Sequence, residues 1–477
     1  MGQQICFMAA TEMAADIRSG HLSAREVMEA HLAQIDMFNP RVNAIVTLHA
    51  EQALDAAKAA DEAQARGAVI GPLHGLPVAH KDLMLTKGMR TTFGSKVYEH
   101  FIPTQSALIV DRQQQAGAIS IGKTNMPEFA AGAQTFNSVF GATLNPYDLS
   151  KTCGGSSGGS AVALATGMVP LADGTDMGGS LRCPANFTNV VGLRPSIGRV
   201  PQFPAPDGWG TLSVSGPMAR SVQDVALHLS VMSGPDPRDP LSITEDGAGF
   251  RAPLERSFKG VRVAWSSDMG GLPVDKRVSR ALDAQRRVFE DLGCIIEDAC
   301  PDFRDAHEIF MTLRAYNFDL QLGPLMDQHP GILKDAIVWN IEAGRKLSAS
   351  QLARAEKLRT ELFQRMHHFM QTYAFIVCPV NQVPPFSIEQ QYVSDIDGVK
   401  MDSYIDWVRS CYYISATTHP AISVPCGFTD DGLPVGMQIV GRNRCEFSLL
   451  QVAYAFEQST NVGRRRPPMC FETSQVA

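Results

Sequence analysis

The sequence predicts an α/β protein, on three observations. From about Gly71, short apolar runs such as Leu76-Pro77-Val78-Ala79 and Ala118-Ile119-Ser120-Ile121 alternate with Gly/Ser turns and helix-like stretches. Between 250 and 400, strand-like runs such as Val261 to Trp265 alternate with long polar helices, one of them over 347–367. The C-terminal part returns to strand texture at 421–428 and 434–441 before a helix around 449–457.

The N-terminal part reads as helical. Ser23-Ala24-Arg25-Glu26 forms a capping box ahead of an apolar stripe, Val27, Met28, His31, Leu32 and Ile35, that reads as core or dimer surface. Asn39-Pro40 is expected to end that helix, 44–48 to form a strand, and the Ala-rich 51–66 to form a second helix. The Pro- and Asp-rich 233–242 reads as a surface loop. Of 477 residues, 44% are hydrophobic and 19% charged, which suits a globular protein with a sizeable core. A net charge of -7 gives no reason to expect nucleic acid or an anionic membrane as partner. The ten cysteines form no C-x-x-C pair and no zinc-like spacing, which fits a reducing compartment. With no signal-peptide pattern and no apolar run of membrane length, the expected location is cytoplasmic.

Two motif matches fail on context. Gly117 to Thr124 matches the phosphate-binding pattern G-x-x-x-x-G-K-T, which needs a strand before the loop and a helix after it. Here a helix-like run precedes Gly117, the intervening residues are apolar and β-branched, and Pro127 follows closely, so the segment reads as the strand itself. Gly155 to Gly159 matches G-x-S-x-G, whose nucleophile elbow needs a buried strand upstream, yet 145–152 is polar and turn-like.

Three other segments carry chemistry together. Lys81 follows the apolar run Gly75-Leu76-Pro77-Val78-Ala79, which places it at the end of a buried strand; alone it would read as a snorkelling or salt-bridged lysine beside Asp82. Cys153 to Ser160 sets four glycines around Ser156 and Ser157, and alone would read as a turn and helix cap. Gly174 to Arg182 puts Gly178-Gly179 just before Ser180, where consecutive N–H groups can converge on one point as an oxyanion hole does.

This combination resembles the amidase signature family. The family's GGSSGG and D-x-GGS segments are matched here with Ser156 and Ser180 at the family's spacing, and its G-[IL]-P-x-x-x-K-D context is matched by Gly75 to Asp82. Further matches are Gly122-Lys123-Thr124-Asn125, Asn145-Pro146, Gly192-Leu193-Arg194-Pro195, Gly216 to Arg220, 420–425 and 432–438. The likeness is dense over 71–242 and 415–455 and thin over 245–400. It implies a single domain over 1–477 with a mixed, mostly parallel sheet flanked by helices on both faces. Within it, 71–242 would be the catalytic core and 245–400 a variable lobe covering the substrate site.

By the same resemblance Ser180 is the nucleophile, Ser156 the bridging serine with a cis peptide before it, and Lys81 the base. Amides of Met177, Gly178, Gly179 and Ser180 would hold the oxyanion. Ser157 and Thr175 would support the site, and Asp176 and Arg182 would brace the loop as an ion pair. No cofactor or metal is implied. Lysine acts as a base only when neutral; burial would lower its pKa from about 10.4, provided Asp82 points away. His80 is expected to face away as well.

The substrate is less clearly written. The glutamine-using A-type components of the tRNA-dependent amidotransferases carry a motif like S-L-D-Q-I-G-P; here Leu212-Ser213-Val214-Ser215-Gly216-Pro217 lacks the acidic residue, which argues against that alternative and its partner subunits. Candidate pocket residues are apolar: Met126, Phe129, Phe136, Phe203, Trp209, Leu212, Tyr404 and Trp407, with Arg199 placed to reach the pocket mouth. The chain also resembles the bacterial aryl acylamidase and urethane-hydrolase branch, which implies aryl or alkyl amides or carbamates as substrates. A homodimer through the N-terminal helices is the family's analogy.

Overall fold

A computed structural model describes residues 2–471. Eleven strands form one sheet: β1 Ile45–Leu48, β2 Pro77–Lys81, β3 Ile119–Thr124, β4 Leu171–Asp176, β5 Val191–Arg194, β6 Val214–Ala219, β7 Arg262–Trp265, β8 Ile295–Asp298, β9 Phe375–Pro379, β10 Ala421–Phe428 and β11 Pro434–Gly441. Their spatial order is β1-β3-β2-β4-β6-β5-β10-β11-β9-β7-β8. Parallel pairing is confined to β2 with β3 and β4, and to β7 with β8 and β9; every other pairing is antiparallel. The sheet is therefore mixed, as expected, but not mostly parallel. Short connections such as the turn between β10 and β11 allow only antiparallel neighbours. Within 117–124, Ile119–Thr124 is indeed strand, β3, and not a phosphate loop.

Both faces of the sheet are covered. Val78, Leu171, Val263 and Ile439 belong to one buried cluster, while their chain neighbours Ala79, Ala172, Ala264 and Val440 belong to others. Side chains alternate across a strand, so these pairs point to opposite faces. One face packs on helices that include Val222–Met232 and Glu446–Thr460; the other packs on Ala24–Val42, Gly158–Ala165 and Ala306–Gln328.

The Ala24–Val42 helix opens with the expected capping box: Ser23 Oγ accepts from the Glu26 N–H at 3.0 Å, and Glu26 Oε2 from the Ser23 N–H at 2.8 Å. Its apolar stripe is buried within the chain, which makes it core. The helix runs through Pro40 to Val42 instead of stopping at Asn39-Pro40. Asn43, at φ 53°, ends it, and the Asn39 side-chain carbonyl accepts the N–H groups of Ala44 and Ile45 as β1 begins. Residues 245–400 contribute β7, β8 and β9 to the sheet and the helices Ala306–Gln328, Asp335–Arg345 and Ala349–Thr372. No helix among the described residues is long and apolar enough to cross a membrane.

Candidate active site

β2 is buried along its whole length. Its period of two sends Val78 and His80 to one side, and Ala79 and Lys81 to the side of the Gly158–Ala165 helix. His80 accordingly meets Asp173 Oδ2 through Nδ1 at 2.6 Å and Ser120 Oγ through Nε2 at 2.8 Å. The Asp82 carboxylate accepts the Thr92 N–H at 3.1 Å and its hydroxyl, so it too faces away from the Lys81 amine. Lys81 Nζ instead is hydrogen-bonded to Ser156 Oγ at 2.7 Å, Thr175 Oγ1 at 2.8 Å and Ser157 Oγ at 3.0 Å. Burial pulls the Lys81 ammonium down to about 7, against the partial opposition of Asp176 and Asp173.

Ser156 and Ser157 reach this amine because their loop leads directly into the Gly158–Ala165 helix. The Gly155–Ser156 peptide is cis. The Ser157 N–H donates to the Ser180 carbonyl at 3.2 Å and ties the two serine loops together. Gly174 is needed for that approach, since a Cβ there would lie 2.5 Å from Ser157 Oγ. Gly179 sits at φ 116° with Cys411 Cβ 2.5 Å from where its own Cβ would be.

Asp176 organises the loop that carries Ser180. Its Oδ1 accepts the Gly179 N–H at 2.9 Å and Arg182 Nη2 at 2.8 Å, and Arg182 Nε meets Oδ2 at 2.9 Å. Arg194, which the sequence placed only in a family motif, adds a second guanidinium at 3.1 Å. Burial pushes the Asp176 carboxyl up, but the two arginines outweigh it and hold the group well below the usual carboxylate range. Of the four amides expected at an oxyanion, that of Gly179 is engaged by Asp176.

Thr175, Met177, Gly178, Ser156 and Ser180 line a chamber of about 130 Å³. It shares Leu83, Phe129, Thr175, Ser213 and Gln321 with an outer cavity of about 660 Å³. Of the apolar candidates, Phe129 lines both spaces and Phe203 the outer one. The others lie outside both linings. Met126 is fully buried, Phe136 packs beside Lys334 Nζ at 5.4 Å, and Leu212 and Trp407 belong to the core. Trp209 is 73% exposed. Arg199 is buried and held by Glu446 at 3.1 Å and Glu245 at 2.9 Å, so it does not reach the mouth.

Sequence reasoning missed Phe310, Arg314, Phe318 and Gln321, which line the chamber from the Ala306–Gln328 helix, and Tyr412, stacked on Phe310 at 4.3 Å. Their spacing of three to four is the only signal they leave, and it is the signal of any buried helix face. Among the described residues no group of three or more His, Cys, Asp or Glu could hold a metal ion.

The Amidase family profile matches residues 26–450. An acylamidase of Rhodococcus erythropolis is 36% identical over 461 residues, covering 95% of this chain and 96% of that one. The A-type component of a Synechococcus glutamyl-tRNA(Gln) amidotransferase is also 36% identical, over 484 residues, 94% of this chain and 96% of that one. Among solved structures, a bacterial aryl acylamidase of the amidase signature enzymes superposes with a TM-score of 0.90 at 28% identity, covering 97% of this chain and 99% of that one.

Proposed function

We infer that this chain, which belongs to the amidase signature family and hydrolyses C–N bonds, acts on aryl or alkyl amides or carbamates with Ser180 as nucleophile, Ser156 as proton relay and Lys81 as base. The observation that carries this reading is the Lys81 amine, buried and held by three hydroxyls with no carboxylate as direct partner. An ammonium would donate to all three. A neutral amine has two protons and one lone pair, so one hydroxyl must donate to it. Ser157 can give its proton to the Thr175 carbonyl at 3.4 Å, which leaves the hydroxyls of Ser156, 2.7 Å from the amine, and Thr175, at 2.8 Å; in this reading Ser156 is the donor.

Proton flow then runs from Ser180 through Ser156 to Lys81 as the Ser180 oxygen attacks the carbonyl. The negative charge that develops falls to the amides of Met177, Gly178 and Ser180. On collapse, the proton returns through Ser156 to the leaving nitrogen, so that an amine departs. Water adds to the acyl-enzyme by the same relay; from a carbamate, the hydrolysed intermediate loses carbon dioxide. The outer cavity, walled by Leu83, Phe93, Phe101 and Phe203, suits an apolar group.

The comparisons also include components of glutamyl-tRNA(Gln) amidotransferases. Counting back from Gly216-Pro217, the place of their acidic motif residue falls on Ser213, which lines both spaces. A neutral hydroxyl there gives the ammonium of glutamine no counter-charge, which favours the acylamidase reading.

The test is amine release from an anilide, an aryl carbamate and an aliphatic primary amide, with Ser180→Ala beside the wild type. Turnover of the anilide or carbamate, abolished in the variant, is expected. Turnover of the primary amide alone would replace the reading with a general aliphatic amidase.

A further inference from the structure

The mechanism leaves one charged side chain in the serine chamber without a task. Arg314, on the Ala306–Gln328 helix, lines the same small chamber as Ser156 and Ser180 and is 5% exposed. A guanidinium so buried is costly unless an anion meets it. Arg182 and Arg194, beside Ser180, meet Asp176, whereas Arg359, also buried, is held by the Thr211 hydroxyl and by the carbonyls of Thr211 and Ala416. Arg314 has no carboxylate within ion-pair distance among the described residues. Its Nη2 donates to the Tyr404 hydroxyl at 2.6 Å and its Nη1 to the Asn340 side-chain carbonyl. Its guanidinium lies over the rings of Phe318 and Tyr404 at 4.5 and 5.5 Å. These contacts fix the orientation of the fork and leave its charge uncompensated.

The surroundings do not supply the missing anion. No Asp or Glu lines the small chamber. Glu128, which acts on neighbouring Lys334, is engaged by the Ser95 hydroxyl at 2.7 Å and the Lys334 N–H at 3.0 Å. Lys334 adds a second basic group on this side, its amine on the Ala131 carbonyl. The outer cavity has aromatic and aliphatic walls from Leu83, Phe93, Phe101 and Phe203, with Asp207 and Asp239 also in its lining.

We propose that Arg314 receives a carboxylate carried on the acyl portion of the substrate, while the amine portion occupies the apolar outer cavity. The inference rests on the amidohydrolase reading and narrows it to amides whose acid half is a short dicarboxylic acid. A planar, pre-oriented, buried fork is suited to bidentate capture of a carboxylate. It also explains why a charge is kept beside the serines at all.

The experiment compares aniline release from the monoanilide of glutaric acid and from the anilide of pentanoic acid, which has a methyl group where the first has a carboxylate. The monoanilide of pimelic acid and the 4-carboxyanilide of pentanoic acid are run beside them. In the wild type, kcat/KM for the glutaric compound should exceed that for the pentanoic one by about 10–100-fold, the worth of a charge-assisted pair in a buried site. Arg314→Met should bring the ratio to near one, and Arg314→Lys, which keeps the charge without the fork, should leave it between. A wild-type ratio at or below one, for both dicarboxylic compounds, overturns the proposal whether or not either variant folds. A preference for the ring carboxylate instead overturns the assignment of the acyl half to this chamber. Turnover of none of the four would remove the aryl-amide part of the proposed function, whereas turnover of the neutral anilide alone removes only the role of Arg314.

Discussion

The two ends of the candidate active-site cavity are built in opposite ways. At the serine end, glycines, two tied loops and one strand bring backbone and short side chains together, and nearly every residue lies within 71–242. At the far end, one long helix from 245–400 presents Phe310, Arg314, Phe318 and Gln321. The first end can hardly vary, because an added methyl at Gly174 or Gly179 meets an atom at 2.5 Å. The second can change side chain by side chain without moving the backbone. Reaction type is therefore fixed by main-chain geometry, and substrate choice by side chains on a rigid support.

Breaking the serine end should have the largest effect. Ser180→Ala is expected to lower kcat by at least about 10⁴-fold on every substrate, as loss of a nucleophile does in other serine hydrolases. Steady-state aniline release measures it, and a loss confined to one substrate would contradict the shared role.

Lys81→Met should come next, at roughly 10³-fold or more. Its pH signature is the sharper reading. Because the base must be neutral, wild-type kcat/KM should rise tenfold per unit up to near pH 7 and then level, and the variant should lose that limb. Stability carries the opposite face of the same shift. Between about pH 7 in the folded chain and about 10.4 unfolded, the unfolded state binds the extra proton. Wild-type stability relative to Lys81→Met should therefore rise with pH across that window in denaturant titrations.

Gly179→Ala should cost less in chemistry and more in folding, since its φ of 116° and the contact with Cys411 both oppose a side chain. A drop in melting temperature with a broad loss of activity is expected; an unchanged melting temperature would mean that the loop yields. The smallest effect belongs to the outer cavity. Phe203→Ala should reduce kcat/KM for an anilide by about tenfold, mainly through KM, and barely affect a small primary amide.

The same contrast explains what the sequence disclosed. Lys81, Ser156 and Ser180 were legible because their glycines and neighbours recur as contiguous words, and strand alternation alone placed His80 and Asp82 on the face opposite Lys81. The engagement of one expected oxyanion amide was not legible, because no sequence rule says that Asp176 takes the Gly179 N–H. Trp209 and Arg199 were chosen by residue type and nearness in sequence, and the structure gives one to solvent and the other to Glu446. Arg314 left only its helical spacing from Phe318: its hydrogen-bond partners, Asn340 and Tyr404, are brought to it by the tertiary fold.

The central claim is that the acyl group passes onto Ser180 under a neutral lysine. Mass spectrometry of the enzyme quenched during turnover of a slow aryl carbamate, with peptide mapping, tests it most directly. The account predicts an alkoxycarbonyl adduct, the group left when the amine departs, on the peptide containing Ser180, absent from Ser180→Ala and slow to form below pH 7. An adduct on Ser156, Ser157 or Lys81, or undiminished turnover in Ser180→Ala, would contradict it.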